Sequence, residues 1–212
     1  MAKKEADASA KSLGRLVPSQ QRSRERFERI LACATDLLVE KGNDAFRMSD
    51  IVERTGIGFG SLYQYFPDKT AVIGTLAERY NAIGRECVGR DLDAMTEIGA
   101  LHDTLCRITD NYYAMFLDAP VMRDIWQATQ ADRALQKLDE EDGAFLSGML
   151  CDSLQKLAPD ASDAALSIFA QLMMVLMAAA VRHALTLPLE QARQFLTLFK
   201  QTLPKALVAA EK

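Results

Sequence analysis

Residues 47–69 decide the fold, and they read RMSDIVERTGIGFGSLYQYFPDK. The apolar residues at 48, 51 and 52 share one face of a predicted helix, with charged residues turned towards water. Gly56 follows, and glycine takes the left-handed conformation that ends a helix without steric cost. A second short helix covers residues 59–66, and Pro67 ends it because a residue before proline disfavours the helical conformation. The segment therefore predicts two helices around a tight turn.

The side chains of this segment divide into an inner and an outer set. Gly58 is an acceptable N-cap for the second helix, although it offers no side-chain oxygen. The residues predicted to point inward are Ile57, Leu62 and Phe66. The residues predicted to face outward are Ser61, Gln64 and Tyr65.

Two short helices around a glycine-containing turn follow the helix-turn-helix plan, whose second helix enters the major groove of DNA. The string GIGFGSLYQYFPDK at 56–69 resembles the recognition-helix signature of the TetR/AcrR family of transcriptional regulators. That likeness extends over about the first 80 residues. The resemblance implies an all-α chain of about nine helices, which the helical spacing of apolar residues also favours. It further implies an N-terminal three-helix DNA-binding domain and a C-terminal domain for ligand binding and dimerisation.

We expect the DNA contacts to come from the two short helices and the start of the next one. Glycine and serine at 60 and 61 add little bulk, and Lys69 opens a helix where amides and a cation favour phosphate. In the family, the tyrosine at the position of Tyr63 puts its hydroxyl on phosphate while its ring packs. The predicted DNA-binding residues are Arg47, Met48, Ser49, Phe59, Gly60, Ser61, Tyr63, Gln64, Tyr65 and Lys69.

Two positions depart from the family pattern. Arg47 stands where relatives usually place a Thr or Ser that caps the helix and binds phosphate, so the capping contact is in question. Two residues further on, Ser49 offers a hydroxyl that would take the place of that Thr or Ser. Arg47 itself is able to pair with phosphate. Phe59 stands where relatives more often carry a polar residue. It either packs on a thymine methyl group in the groove or is buried on its own domain.

Composition and charge are those of a globular helical protein with a weakly basic start. The 212 residues carry a net charge of −4, with 49% hydrophobic residues. Residues 1–70 hold 12 basic and 10 acidic residues, whereas residues 71–212 hold 13 and 19. Four dispersed cysteines and two histidines suggest neither a metal site nor a disulfide framework, but buried thiols in a reducing cytoplasm. We expect no cofactor, and no signal peptide is recognisable.

The chain divides into three predicted parts. Residues 1–21 read as a mobile tail whose cations either contact DNA or are only solvated. Residues 22–68 form the predicted DNA-binding domain, with Ser23 as the N-cap of its first helix and Gly42 as its end. Residues 69–212 form the ligand-binding and dimerisation domain. It begins with a long unbroken helix to about residue 95, and acidic residues 139–142 are placed at the start of a later helix.

The C-terminal part offers candidate ligand contacts, implied by the resemblance and by its methionines and aromatic residues. Methionine and aromatic side chains can line an adaptable apolar cavity, and the alternative for each of them is a place in the packed core. The predicted ligand-binding residues are Arg107, Asn111, Tyr112, Trp126, Gln127, Gln130, Met149, Met173 and Met177.

Residues 164–181 carry no charge, which reaches the lower bound for a membrane span. A polar or small stripe along this segment favours a helix buried in a core or a subunit contact. We therefore expect no membrane, but a homodimer formed through the helices at 162–185 and 189–203, in line with the family.

The function expected is a TetR-like regulator, a repressor that binds a palindromic DNA operator as a dimer and is released by a small, apolar ligand. An activator of the same family is the alternative. A helical ligand carrier or an enzyme is the second alternative. The sequence contains no Ser/His/Asp set, P-loop or nucleophile elbow that would support catalysis. We expect a cytoplasmic, non-enzymatic protein.

Overall fold

Helices form all the regular structure of residues 21–207, the part of the chain that this computed structural model describes. Nine α-helices and one short 3-10 helix (Ile98–Ala100) are present in that part, and no strands, so the all-α prediction is confirmed. The helices are α1 Gln21–Ala45, α2 Met48–Thr55, α3 Phe59–Tyr65, α4 Lys69–Asp93, α5 Leu101–Asp118, α6 Val121–Ala131, α7 Arg133–Leu157, α8 Asp163–Ala184 and α9 Leu189–Thr202. The predicted tail, apart from Gln21, lies outside the described residues.

Two compact units are distinguished by their internal contacts. The first unit contains the described residues up to Tyr80 together with Pro120–Leu138, and the second contains Asn81–Ala119 and the described residues from Asp139 onwards. The predicted DNA-binding domain, residues 22–68, lies within the first unit. That unit also takes in the first half of α4, all of α6 and the start of α7, which the sequence placed with the C-terminal domain.

The first unit is built around the inner face of α1. Phe27 of this helix stacks on Phe66 with ring centroids 5.0 Å apart. Helix α6 packs along α1, and Val121 and Ile125 are buried in the same core. Gly42 breaks the regular geometry of α1 with a φ of 71°, as predicted, although a further helical stretch follows it to Ala45.

The second unit has its own core, formed by α4, α5, α7, α8 and α9. Leu105 and Leu150 are fully buried there, and Met173 and Met177 of α8 are buried beside them. An exposed ion pair between Lys200 and Asp110, 2.7 Å long, joins α9 to α5.

Two predicted helix starts are wrong. Ser23 does not cap α1, because the helix already includes Gln21 and the Ser23 hydroxyl bonds elsewhere. Residues 139–142 do not open α7, which begins at Arg133. Asp132 is the reason, since its carboxylate accepts the N–H of Ala134 at 2.8 Å and supplies the cap.

Helix α8 is long and apolar enough to cross a membrane by length and composition, with a mean hydropathy of 2.2 over its most apolar window. A single helix of this kind is weak support for a membrane span, because the core helix of a soluble protein meets the same criterion. One face of α8 is buried in the second core, and the opposite face exposes Ile168, Leu172 and Val175.

Candidate functional site

The turn between α2 and α3 has the geometry that its glycines predict. Gly56 is left-handed, with a φ of 68°, and its N–H donates to the Val52 carbonyl at 2.9 Å. Ile57 is buried between the helices. Gly58 is extended, and its carbonyl accepts the N–H of Leu62 at 3.0 Å. Both predicted ends of the turn are therefore confirmed.

The inner face of α3 holds three residues rather than the predicted two. Leu62 and Phe66 are fully buried as expected, but Tyr65 is only 7% exposed, so the prediction that it faces outward is wrong. Its hydroxyl is hydrogen-bonded to that of Ser23 at 2.7 Å, and its ring packs edge-on against Phe27. Tyr65 lies three residues after Leu62, on the same helical face, and Phe66 follows in the extended conformation that ends the helix. The buried ring fixes α3 against α1.

The outer face of α3 carries two exposed aromatic rings. Phe59 is 48% exposed and Tyr63 is 47% exposed, so burial of Phe59 on its own domain is excluded. The rings lie nearly parallel, at 17°, with centroids 6.1 Å apart. Gly60 and Gln64 are also exposed, and a Cβ added at Gly60 would meet nothing within 4 Å. This face is open to a partner.

Ser61 connects the outer face to α1. Its hydroxyl accepts a hydrogen bond from the Arg26 guanidinium at 3.1 Å. Arg26 therefore stands beside the predicted contact surface, and it is one of four arginines at the start of α1 whose positive charge favours contacts with the DNA backbone. The run of arginines at 22, 24, 26 and 29 was the available signal, but periodicity alone did not show which of them approaches α3.

The start of α2 has a cap despite the arginine at the N-cap position. The Asp50 carboxylate accepts the backbone N–H of Arg47 at 2.9 Å. It also forms an ion pair with Lys41 at 2.9 Å. The hydrogen bond from Lys41, then that from the Arg47 backbone, lowers the pKa of Asp50. The side chain of Arg47 is exposed, while Met48 and Ser49 are half-buried.

Lys69 is held by the chain's own carbonyl groups. Its ammonium donates to the Asn43 carbonyl at 2.6 Å and approaches the Phe46 carbonyl at 3.4 Å. The same ammonium lies 5.7 Å from the centre of the Phe46 ring. A phosphate contact by Lys69 would therefore be added to these bonds or would replace them.

The predicted ligand-binding residues fall in both units. Arg107, Asn111, Tyr112, Met149, Met173 and Met177 belong to the second unit, and Trp126, Gln127 and Gln130 to the first. Gln127 and Gln130 are exposed, and Gln130 donates to the Thr129 hydroxyl at 3.1 Å. No single site formed by all nine residues is therefore described.

Two of the polar candidates in the second unit share one partner. Asn111 donates to the Asp91 carboxylate at 2.7 Å, and Arg107 approaches the same carboxylate at 3.4 Å. Arg107 also donates to the Thr104 hydroxyl at 3.0 Å. Both side chains already serve to join α5 to α4.

Tyr112 lies in a more enclosed place, beside charged groups. Burial raises the pKa of Tyr112, while the charge and hydrogen bond of Arg182 act in the opposite direction. Arg182 also faces Asp139 at 3.4 Å. The Tyr112 ring meets Phe116 edge-on, with centroids 5.2 Å apart. The methionines Met149, Met173 and Met177 pack in or against the second core.

Other site chemistries find little support in residues 21–207. No group of three or more His, Cys, Asp or Glu side chains suited to a metal ion occurs in that stretch. The four cysteines are free thiols, of which Cys33 is buried and the other three are half-buried.

Known proteins match both parts of the chain. The family described as "Bacterial regulatory proteins, tetR family" matches residues 30–75, and that described as "Tetracyclin repressor-like, C-terminal domain" matches residues 99–211. The regulator YvdT of Bacillus subtilis, described as uncharacterized and HTH-type, is 42% identical over 53 residues, 25% of this chain and 27% of its own length. The repressor KstR of Mycolicibacterium smegmatis is 35% identical over 78 residues, 37% of this chain and 34% of its own length.

The matched segments thus span about a third or less of the length of these two relatives, and the sequence identities apply to those segments alone. A solved TetR-family regulator from Pectobacterium atrosepticum resembles the whole fold, with a TM-score of 0.68 and 18% identity. That match covers 92% of this chain and all of the other. Together with the helix-turn-helix geometry and the match over more than half of the sequence, these likenesses establish that the chain belongs to the TetR family of transcriptional regulators.

Proposed function

We propose that this protein is a dimeric transcriptional repressor that binds an inverted-repeat DNA operator through α3 and releases it when a small molecule binds the second unit. The observation that carries the proposal is the outer face of α3. It presents small, polar and aromatic side chains to solvent, while Leu62, Tyr65 and Phe66 anchor the helix from behind.

The groups around α3 suit a DNA surface. Serine and glutamine at 61 and 64 can donate to or accept from base edges. Arg26 and Arg47 supply cations for phosphates, and phosphate contacts set the register of a protein on its duplex. We propose that Met48, Ser49 and Lys69 complete the contact from the start of α2 and α4. Tyr65 acts indirectly, since its buried ring positions the helix.

A second copy of this chain is the partner that the exposed apolar face of α8 fits. Ile168, Leu172 and Val175 recur at intervals of four and three residues, and they are 67%, 50% and 58% exposed. Leu198 of α9 adds a side chain that is 63% exposed. Exposed apolar side chains that recur along one helix favour an interaction site in a soluble protein. A two-fold pair would present two α3 helices to a palindrome, as operator symmetry requires.

The effector site is proposed for the second unit. Tyr112 and Arg182 offer polar groups within it, and Met149, Met173 and Met177 offer adaptable apolar surface. A ligand that favours one conformation of this unit must weaken DNA binding by the same factor by which DNA weakens ligand binding. As a transcriptional regulator, the protein would act in the cytoplasm.

Selection of bound duplexes from a random DNA pool tests the proposal. The expected product is an inverted repeat with half-site centres one or more helical turns apart, about 10 base pairs for a single turn. Gln64→Ala should change the selected sequence. Gln127→Ala is the matched control, because Gln127 is also an exposed glutamine of the first unit but lies on α6. It should select the same operator as the wild type.

The outcome that overturns the proposal is a protein that enriches no sequence over the starting pool. An operator that overlaps a promoter and silences a reporter supports a repressor, whereas activation from an upstream operator supports the alternative. Operator affinity measured with and without apolar candidate ligands, at one salt concentration, tests release. Equal affinity in the presence of every ligand that binds the second unit would refute the switch.

A further inference from the structure

The two exposed rings of α3 have a chemistry that the proposed function does not yet use. We propose that Phe59, supported by Tyr63, reads the 5-methyl group of a pyrimidine in the major groove, and so fixes one T·A pair in each operator half-site. This inference rests on the proposed function, because it assigns a base preference to the same helix.

The surface around Phe59 makes its ring the most prominent apolar feature of this face. Gly58 and Gly60 stand on either side of it in the chain, and a Cβ added at either would meet nothing within 4 Å. No side chain from these neighbours therefore shields the ring or keeps another molecule away from it. Nearly half of the surface of Phe59 is exposed to water, and covering it with a partner would be favourable.

Tyr63 restricts where the Phe59 ring can lie. It is one helical turn further along α3, and its ring is nearly parallel to that of Phe59. The two rings form an aromatic pair, of the kind that adds stability beyond area burial. Ordering the ring before binding lowers the entropy that binding would otherwise cost. Tyr63 is thus a positioning residue for Phe59, and its hydroxyl remains available to a phosphate.

The chemistry of the major groove then selects the target. Phenylalanine has no hydrogen-bonding group, so it cannot distinguish the donors and acceptors of the base edges. The methyl group at C5 of thymine is the apolar group displayed there. A cytosine methylated at C5 displays the same group. The partner of Phe59 is therefore a 5-methyl pyrimidine, and two substitutions of the DNA tell its sources apart.

The first experiment replaces thymine by uracil, one position at a time, in the operator obtained by selection. Uracil keeps the hydrogen-bonding edge and loses only the methyl group. At one symmetric position, the wild-type protein should bind about 4-fold more weakly for each half-site changed, from the transfer free energy of one buried methylene-sized group. Changing both half-sites should weaken binding about 16-fold. Phe59→Ala should bind the thymine and uracil duplexes equally.

The second experiment replaces that T·A pair by C·G, with and without a 5-methyl group on the cytosine. The wild type should bind the methylated duplex more tightly than the unmethylated one by the same factor of about 4 per half-site. The advantage should vanish for Phe59→Ala. If uracil weakens binding but methylation of cytosine restores nothing, the contact requires the hydrogen-bonding edge of the T·A pair as well as the methyl group. The proposal, which assigns recognition to the methyl group alone, is then wrong as stated.

Tyr63 supplies the matched controls. Tyr63→Phe keeps the ring pair and removes the hydroxyl, so it should retain the full ratio between thymine and uracil even if all duplexes bind less well. Tyr63→Ala removes the supporting ring and should reduce that ratio. Since Phe59 and Tyr63 are about half exposed, their replacement should lower the unfolding midpoint only slightly, and the midpoint is measured alongside to show that each variant is folded.

Two results would overturn the inference while leaving the proposed function intact. One is a selected operator in which no thymine-to-uracil change affects wild-type binding. The other is a ratio between thymine and uracil that Phe59→Ala preserves. Failure to select any operator would instead overturn the proposed function itself.

Discussion

Replacing Ile168 by serine should weaken self-association while leaving the fold of the chain intact. Ile168 is 67% exposed on α8, the largest exposed fraction among the bulky apolar side chains of residues 21–207. Full burial of an isoleucine side chain is worth about 1.5–3 kcal/mol. An interface that covers the exposed two thirds would therefore gain about 1–2 kcal/mol per copy.

A two-fold interface contains every substitution twice, so the loss doubles to about 2–4 kcal/mol per dimer. This corresponds to a rise of about 30-fold to 700-fold in the dimer dissociation constant. Sedimentation equilibrium over a range of concentrations measures that constant directly. Far-ultraviolet circular dichroism checks that the variant keeps its helical content.

Leu117→Ser is the matched control, because Leu117 is also an exposed bulky apolar residue, at 50%, but lies on α5. It should leave the dissociation constant unchanged. A wild-type protein that sediments as a monomer at all concentrations would refute the reasoning. So would equal effects of the two serine variants, since loss of any exposed apolar side chain would then explain the change.

Three further predictions concern the first unit. Gly56→Ala should lower the unfolding free energy by about 1 kcal/mol, because an L-residue is strained at a φ of 68°. Gly58→Ala, at a φ of −63°, should lower it by less, since only the difference between glycine and alanine as N-cap remains, and denaturant unfolding compares the two. Glu28 has its pKa lowered chiefly by the hydrogen bond from Arg79, so Glu28→Gln should cost up to about 1 kcal/mol near pH 7. That difference should be present above the ordinary pKa of glutamate, about 4.3, and should be lost as the pH falls through the lowered pKa of the folded state, and unfolding titrations at several pH values would show it. Cys33 is buried whereas the other three thiols are half-buried, so iodoacetamide should label Cys33 more slowly than the others, and faster labelling, measured by peptide mass spectrometry, would contradict this.

The helix-turn-helix could be predicted from sequence because its determinants are local. Gly56 needs only its own backbone freedom to end α2, and Gly58 opens α3 within the same few residues. The likeness to the family signature depends on the same short string. The fold class followed as well, since apolar residues at helical spacing persist along the chain.

The details that were missed depend on residues far apart in sequence. Tyr65 is buried because Ser23 and Phe27, about forty positions earlier, provide a hydroxyl and a ring for it. Helix α6 belongs to the first unit because it packs against α1. The spacing of apolar residues within α6 does not show which helix it packs against. The start of α7 depended on a single capping aspartate, and four later acidic residues gave a stronger but misleading signal.

The candidate site also combines features that follow from local sequence with contacts between residues far apart in the chain. The outer positions 59, 60, 61, 63 and 64 were identified from their chemistry and from the signature. The contact between Arg26 and Ser61 joins two helices and required coordinates. For the ligand-binding residues, composition named suitable side chains but not their partners, and Arg107 and Asn111 proved to share Asp91.

The hydrogen bonds of Lys69 affect how strongly the affinity for DNA should depend on salt concentration. Its ammonium bonds to uncharged carbonyl oxygens, so its full positive charge persists in the free protein, unlike that of Arg54, which a carboxylate of Glu40 offsets. A fixed, uncompensated cation displaces a condensed counterion when it nears a phosphate, and each such displacement steepens the dependence of affinity on salt by about one unit of log–log slope. Lys69 should therefore contribute fully to that slope, whereas the arginines already matched with glutamates should contribute little.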